Sequence, residues 1–201
     1  MFVVLISSFI SIGLCQFIVD SARVMFTSTE KNDIVSNIRQ FTGEMESVAK
    51  SSNVAYVYKT FNSGDRATSA NRLHDGQSGN FVMFISVQAN TNPLNPDQIT
   101  KIVGYFLTPD ATGTGPLKKF TLDYSAAPLD SVANPPETLI AGLTASSAQC
   151  KELIQLVQGL SSGNVFYDYM DRSVMVKSKF IQGNSDKRVT NTYSFTISPR
   201  G

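Results

Sequence analysis

The sequence predicts an α+β protein in which one long N-terminal helix packs on a mainly antiparallel β-sheet. The first fifty residues contain no proline and carry apolar residues at helical spacing, whereas short runs rich in Val, Tyr and Phe follow from residue 53 onward. With 201 residues, of which 42% are apolar, the chain can bury one core of ordinary size. We therefore divide it into a helix, residues 1–50, and a β-rich globular domain, residues 51–201.

The first half of the helix, residues 1–19, carries no charged side chain. Nineteen helical residues extend for roughly 29 Å, close to the roughly 30 Å thickness of the hydrocarbon core of a bilayer. We therefore expect a single-pass helix embedded in a membrane or in the core of a filament. Its apolar residues are Phe2, Val3, Val4, Leu5, Ile6, Phe9, Ile10, Ile12, Leu14, Phe17, Ile18 and Val19.

Two other interpretations of residues 1–19 are a cleaved secretory signal and a lipoprotein signal with Cys15 as the modified residue. No Lys or Arg precedes the apolar run, which is longer than a usual signal core, and no small-x-small cleavage site closes it before Asp20. Leu14 stands in front of Cys15, where a lipoprotein signal carries a small residue. These features favour a helix that is retained. The absence of basic residues also leaves its orientation open.

The second half of the helix, residues 20–50, has an amphipathic pattern. Its apolar positions follow one another at spacings of four, three, four and three residues, which places them on one face. Charged residues fill the other sides. We therefore predict one continuous helix of about 45 to 50 residues. The face that packs on the sheet consists of Ile34, Ile38, Phe41, Met45 and Val48.

The rest of the chain alternates between β-rich runs and segments of turn composition. Residues 151–160 fit either a helix or a buried strand, and we favour a strand because residues 166–170 follow at hairpin distance. The predicted strands are residues 53–61, 80–88, 100–108, 118–125, 151–160, 166–170, 173–182 and 190–198.

Charge and motif content argue against nucleic-acid binding and against catalysis. Seventeen Lys and Arg residues balance sixteen Asp and Glu residues, so no basic excess attracts a polyanion. His74 is the single histidine, and no spacing of Ser, His and Asp indicates a catalytic triad. Gly113 and Gly115 lack the Lys-Ser/Thr that follows the glycines of a phosphate-binding loop. We expect no enzyme and no nucleic-acid partner.

One group of oxygen ligands is a candidate calcium site, although its spacing does not match an EF-hand. It consists of Asn164, Asp168, Asp171 and Asp186, with Asn184 nearby. Because Asp168 alternates with two tyrosines on a predicted strand, a plain solvent-facing role is the favoured interpretation. We expect no cofactor, with calcium as the one candidate ligand.

The predicted helix, its two halves and the sheet that follows resemble the type IV pilin and type II secretion pseudopilin superfamily. Residues 19–45 and 164–201 are similar to bacterial prepilin-type, minor-pilin-like proteins. The resemblance implies a structural subunit, minor rather than major, that assembles through its N-terminal helix with other pilin or pseudopilin subunits. It also implies a single-pass location in a bacterial inner membrane, with lipid around the helix before assembly and the globular domain outside the cytoplasm.

The processing motif of that family has no counterpart in this sequence. Family members carry a basic leader, a glycine cut by a prepilin peptidase, and a Phe-Thr-Leu-x-Glu run, whereas this chain begins Met1-Phe2-Val3-Val4. We expect that the true start lies upstream of Met1, in which case a prepilin peptidase is a further partner; loss of processing is the other explanation. The alternative function is a single-pass, membrane-anchored binding or adhesion module that does not polymerise.

Overall fold

The structure, a computed structural model, describes residues 2–90, 92, 94–170, 172–183 and 188–200, with side chains of the first helix described from Ser11 onward. Helix α1 (Phe2–Lys50) precedes every strand, and α2 (Pro136–Leu139) is a single turn. The strands are β1 (Val54–Tyr58), β2 (Ser78–Gly79), β3 (Phe81–Gln88), β4 (Gln98–Leu107), β5 (Thr114–Asp123), β6 (Leu129–Asp130), β7 (Lys151–Gly159), β8 (Phe166–Tyr169), β9 (Ser173–Gly183) and β10 (Arg188–Ile197).

Helix α1 ends where the backbone turns to join the sheet. The Ser52 amide donates to the Ala49 carbonyl at 3.1 Å and the Ser52 hydroxyl donates to the Val48 carbonyl at 2.7 Å, which satisfies carbonyl groups of the last turn. The next amide, that of Asn53, donates to the Ile85 carbonyl of β3 at 2.9 Å. The helix therefore passes directly into the pairing of β1 with β3.

All ten strands pair antiparallel, in the order β1-β3-β4-β5-β7-β9-β8-β2, with β10 added to β9 and β6 added to β4. The sheet curls until its ends nearly meet, since the Asn80 amide donates to the Lys59 carbonyl at 2.8 Å. Gly79 permits this approach, because a Cβ there would overlap the Tyr58 carbonyl. Strands β7 and β8 both pair with the same strand, β9.

The sheet separates two apolar clusters. The inner cluster contains the buried face of the C-terminal half of α1 together with buried residues of eight strands, among them Val82, Phe84, Tyr105 and Val157. The outer cluster contains Phe61, Phe81, Phe106, Phe120 and Ile140, covered by the loops around residues 60–72 and 136–150. Phe61 stacks on Phe106 with ring centroids 3.8 Å apart. Both faces of β3 and β4 are therefore buried, which accounts for their near-continuous apolar sequences.

The predicted strand positions are confirmed, but the predicted α+β class is wrong. All eight predicted strands coincide with strands of the structure, including residues 151–160, and the antiparallel pairing is also as predicted. The chain is mainly β: its antiparallel sheet nearly closes on itself in a barrel-like form, and α1 is the one long helix of the described residues, with one face packed on that sheet. The sequence did not indicate the two-residue strands β2 and β6, which pair with β8 and β4 respectively.

The prediction of a single-pass location in a bacterial inner membrane is also contradicted. Within the part of the chain whose side chains the structure describes, no helix is both long enough and apolar enough to cross a membrane. The physical reason lies in α1, where charges at Asp20 and Arg23 interrupt the described apolar stretch soon after Ser11. A spanning helix needs about 20 consecutive apolar residues.

Candidate functional site

One face of the C-terminal half of α1 packs against the curled sheet, while its other side is exposed. Ile34, Ile38, Phe41 and Met45 are buried, and Val48 is partly buried against the same cluster. Phe41 packs its ring edge-to-face against Tyr105 at 6.0 Å and against Phe195 at 5.8 Å. The structure thus places every residue of the predicted sheet-facing stripe in or against the inner core.

The preceding half of α1 projects away from the sheet and carries apolar side chains without cover. Phe17 and Met25 are each 71% exposed and Val24 is 68% exposed. The exposed apolar residues of the described part of this half are Ile12, Leu14, Phe17, Ile18, Val19, Val24 and Met25. The other members of the predicted embedded half, Phe2, Val3, Val4, Leu5, Ile6, Phe9 and Ile10, lie outside the residues whose side chains are described.

Most of these exposed residues form a stripe of their own, which we call the projecting stripe: Leu14, Phe17, Ile18, Val24 and Met25. At about 100° per residue, its centre is rotated by about 120° around the helix axis from the centre of the buried face. The projecting stripe therefore does not continue the core-facing surface of α1. It offers a second apolar surface on a different side of the same helix.

The other notable cluster is a polar network on the outer side of the sheet, which the sequence analysis did not find. Glu137 is buried and accepts hydrogen bonds from the Tyr58 hydroxyl at 2.7 Å and from Arg72 Nε at 2.8 Å. The Arg72 guanidinium also lies 3.6 Å from the centre of the Tyr56 ring. Burial, and then the hydrogen bond to Glu137, raises the pKa of Tyr58. The network ties β1 to the turn at α2.

Arg66 connects two outer loops in a similar way. Its guanidinium is 2% exposed, lies 4.2 Å from the centre of the Phe61 ring, and donates to the carbonyl groups of Phe61, Ile140 and Leu143. Burial lowers the pKa of Arg66. Arg66 therefore connects the two loops through hydrogen bonds to three carbonyl groups and a contact with one aromatic ring.

A groove of about 620 Å³ lies beside Arg66, between the loop after β1, the end of β4 and the loop after α2. Phe61, Leu107 and Leu143 form its apolar wall, and hydroxyl groups of Thr108 and Thr144 lie among its lining residues. Arg66 is the one titratable residue among the described lining residues. No Asp, Glu or His, the usual general bases, lies among these described lining residues.

The calcium candidates are only partly described. The Asn164 amide nitrogen donates to the Ser78 carbonyl and to the Ser78 hydroxyl, each at 3.1 Å, so its donor side holds two strands together. Asp168 is 8% exposed. Asp171 and Asp186, with Asn184, lie outside the described residues. Among the residues that are described, no group of three acidic, His or Cys side chains could hold a metal ion. Calcium binding stays a prediction.

No protein-family model, curated protein or solved structure matches this chain. The resemblance to pilins and pseudopilins therefore stays a prediction. The feature of the molecule that points to a function is the projecting stripe. Its signal was present in the sequence as apolar residues before Asp20, whereas nothing in the sequence indicated that Val24 and Met25 belong to the same surface.

Proposed function

We propose that the protein is a structural subunit that assembles with like subunits through the projecting half of α1, in the manner of a pilin or pseudopilin. The observation that carries this proposal is the projecting stripe, where Phe17, Val24 and Met25 are each about two-thirds exposed or more. Isolated apolar side chains on a surface are common, but a contiguous apolar stripe indicates an interaction site.

The form of the stripe favours another helix as its partner. Leu14, Ile18 and Met25 are separated by four and seven residues, with Ser21 between them on the same side, so large and small side chains alternate along the helix. A repeat of three and four residues suits packing between nearly parallel helices. A small residue such as Ser21 allows the helix backbones to approach one another.

The geometry of α1 also supports an assembly role. The core half of the helix is fixed on the sheet by Ile34, Phe41 and Met45, so the projecting half is attached to a stable domain. A helix segment with a largely exposed apolar surface is marginal in water unless it packs against another surface. We infer that the globular domain stays outside the helical contact and is displayed around it, as expected for a pilus or pseudopilus subunit.

The experiment compares the purified wild-type chain with the double substitution Phe17→Asp and Val24→Asp. Two carboxylates on the projecting stripe oppose burial of that surface. We expect the wild-type protein to sediment as a large assembly and the variant to sediment as a species no larger than a dimer, with unchanged thermal unfolding of the domain. Ser36→Asp, at an exposed position of the core half of α1, is the matched control and should assemble as the wild type does.

Negative-stain electron microscopy of the same samples tests the form of the assembly. Filaments in the wild type that are absent from the double variant support a filament subunit. A wild-type chain that stays monomeric at high micromolar concentration sinks the proposal and favours a binding module that does not polymerise.

A further inference from the structure

Strand β10 (Arg188–Ile197) forms a long edge of the sheet. Among the described residues, β10 pairs with β9 alone, along all ten of its residues. Its sequence contains no proline and no glycine, and Arg188 is its single charge. Natural edge strands are usually protected by charges, prolines, bulges or short length. β10 has few of these protections, so its outer edge can accept another strand.

The two faces of β10 differ in chemistry. Tyr193, Phe195 and Val189 pack against the inner core beside α1, and Ile197 is buried there. The residues between them form a row of exposed hydroxyl groups, Thr190, Thr192, Ser194 and Thr196. A strand that pairs with β10 in the same sheet must match both faces, with apolar residues toward the helix and polar residues toward solvent.

A groove follows the helix side of β10 near its C-terminal end. It has a volume of about 360 Å³ and lies between Thr42, Glu46 and Ala49 of α1 and the β10 segment that contains Phe195 and Ile197. An apolar side chain from a strand added at the edge would enter this groove. The structure thus combines an open edge with a space beside it.

We propose that β10 pairs antiparallel with β10 of a second copy of this chain. Two identical edges related by a two-fold axis present the same residues to each other. Because apolar and polar positions alternate, the helix-facing residues stay on one side when a residue lies opposite the same residue of the second copy. The registers that also pair nearly the whole strand place Thr192 opposite Thr192, or Tyr193 opposite Tyr193. Either register brings Val189 of the second copy opposite Phe195 or Ile197, which line the groove.

The charges of the hairpin are compatible with this pairing. Lys177 and Lys179 of β9 lie opposite Ser194 and Thr192 of β10. In the paired sheet, the two β9 strands are three strand spacings apart, about 14 Å, so the hydroxyl rows separate the lysine rows. The two Arg188 side chains lie toward opposite ends of the pair, about 30 Å apart and well beyond a Debye length of about 8 Å.

A register-specific disulfide tests the contact in the full chain. Cys15→Ser and Cys150→Ser remove the native thiols, and Thr192→Cys with Ser194→Cys places new ones on the exposed row. We expect a disulfide-linked dimer after mild oxidation, since the first register brings position 192 opposite position 192 of the second copy, and the second register brings position 192 opposite position 194. Lys177→Cys, on the same exposed face but one strand inward, is the control and should stay monomeric.

A charge variant tests the same surface without thiols. Thr192→Glu with Ser194→Glu can pair with Lys179 and Lys177 inside the hairpin, but it opposes like charges across the proposed contact. In the background of Phe17→Asp and Val24→Asp, which removes the helical contact, we expect this variant to weaken dimerisation at least tenfold relative to Thr192→Gln with Ser194→Gln.

The outcomes separate this inference from the proposed function. A β10 disulfide that forms in the helix-blocked background supports the edge contact even if assembly through α1 fails. Assembly through α1 without any β10 disulfide above the Lys177→Cys control overturns the edge contact and leaves the proposed function standing. Equal dimerisation of the Glu and Gln variants also overturns it. Binding of an added acidic peptide along β10, in place of a second copy of the chain, also overturns it.

Discussion

The two halves of α1 carry apolar stripes of similar size, but within the described residues only the stripe of the core half is buried against the sheet. In the core half, Met45 has no exposed surface and Phe41 is 2% exposed. In the projecting half, Phe17 and Met25 lie in solvent. Apolar periodicity in the sequence therefore indicates that a helix face needs a partner. It does not indicate whether that partner is the chain's own sheet or another molecule.

The difference also concerns how each half is held in helical form. Short isolated helices are marginal in water, and most helical stability in proteins comes from tertiary packing. The core half has that packing through the inner cluster, whereas the described projecting half depends on its connection to the core half. An experiment that distinguishes local unfolding from global unfolding should therefore give different results for the two halves of α1.

The largest expected difference is in amide hydrogen exchange of the monomer. Amides of residues 34–49 should exchange only through opening of the core, with protection factors of at least about 10³, whereas those of residues 14–25 should exchange through local fraying at factors near 1 to 10. Mass spectrometry of peptic fragments of the helix-blocked variant measures both. Equal protection of the two segments would show that the projecting half packs on its own domain.

A matched pair of Phe substitutions should give the next largest difference. Phe41→Ala removes a ring that contacts Tyr105, Phe180 and Phe195, and should lower the free energy of unfolding by about 3–5 kcal/mol. Phe17→Ala, on the projecting half, should change it by less than about 0.5 kcal/mol. Denaturant unfolding of the monomer checks both, and a large effect of Phe17→Ala contradicts the comparison.

A polar contact also fixes the core half to the sheet. Glu44 of α1 forms an ion pair with Lys119 of β5, with both side chains less than one-third exposed. Glu44→Gln should lower the free energy of unfolding by about 1 kcal/mol, as expected for a partly screened pair. The control is Glu46→Gln, whose pair with Lys50 is exposed and should matter less. Urea titration at low and high salt measures the change, which salt should reduce.

Much of this architecture could be predicted from local pattern. The absence of proline and the spacing of Ile34, Ile38 and Phe41 identified the helix and its packed face, and strand positions followed from runs rich in Val, Tyr and Phe. Residues 151–160, which fit a helix by periodicity, form β7 because they pair with β5 on one side and β9 on the other. The predicted strand is therefore correct, but what determines it is pairing with strands that lie elsewhere in the sequence.

Closure of the sheet and the outer polar cluster could not be predicted in this way. Closure of the sheet depends on the hydrogen bond between Asn80 and Lys59, which lie in different parts of the sequence. The outer polar cluster depends on contacts that are more distant still, such as Tyr58 with Glu137 and Arg66 with Leu143. None of these residue pairs belongs to a motif with fixed spacing. The candidate assembly surface was only half predicted, because residues 14–19 were apolar in pattern while Val24 and Met25 lay beyond the first charges.

The last expected change in the free energy of unfolding is small and is a gain in stability. It concerns Tyr105, whose ring packs against Phe41. Its hydroxyl is buried and has no hydrogen-bond partner among the described residues. Removing a buried, unsatisfied hydroxyl should raise the free energy of unfolding, so Tyr105→Phe should be more stable by about 1 kcal/mol. Tyr58→Phe is the control of opposite sign, because the Tyr58 hydroxyl donates to Glu137 at 2.7 Å.

The pH dependence of the Tyr105 substitution separates its hydroxyl from its ring. Burial, and then the charge of Glu44, raises the pKa of Tyr105. A phenol whose pKa is higher in the folded state contributes fully below the unfolded value of about 10, and its contribution falls as the pH rises above that value. The alkaline loss of stability should therefore be smaller in Tyr105→Phe than in the wild type. A variant that is less stable at neutral pH would show that the Tyr105 hydroxyl has a hydrogen-bond partner in solution. An equal alkaline loss of stability would show that the core half of α1 is packed less tightly around this hydroxyl.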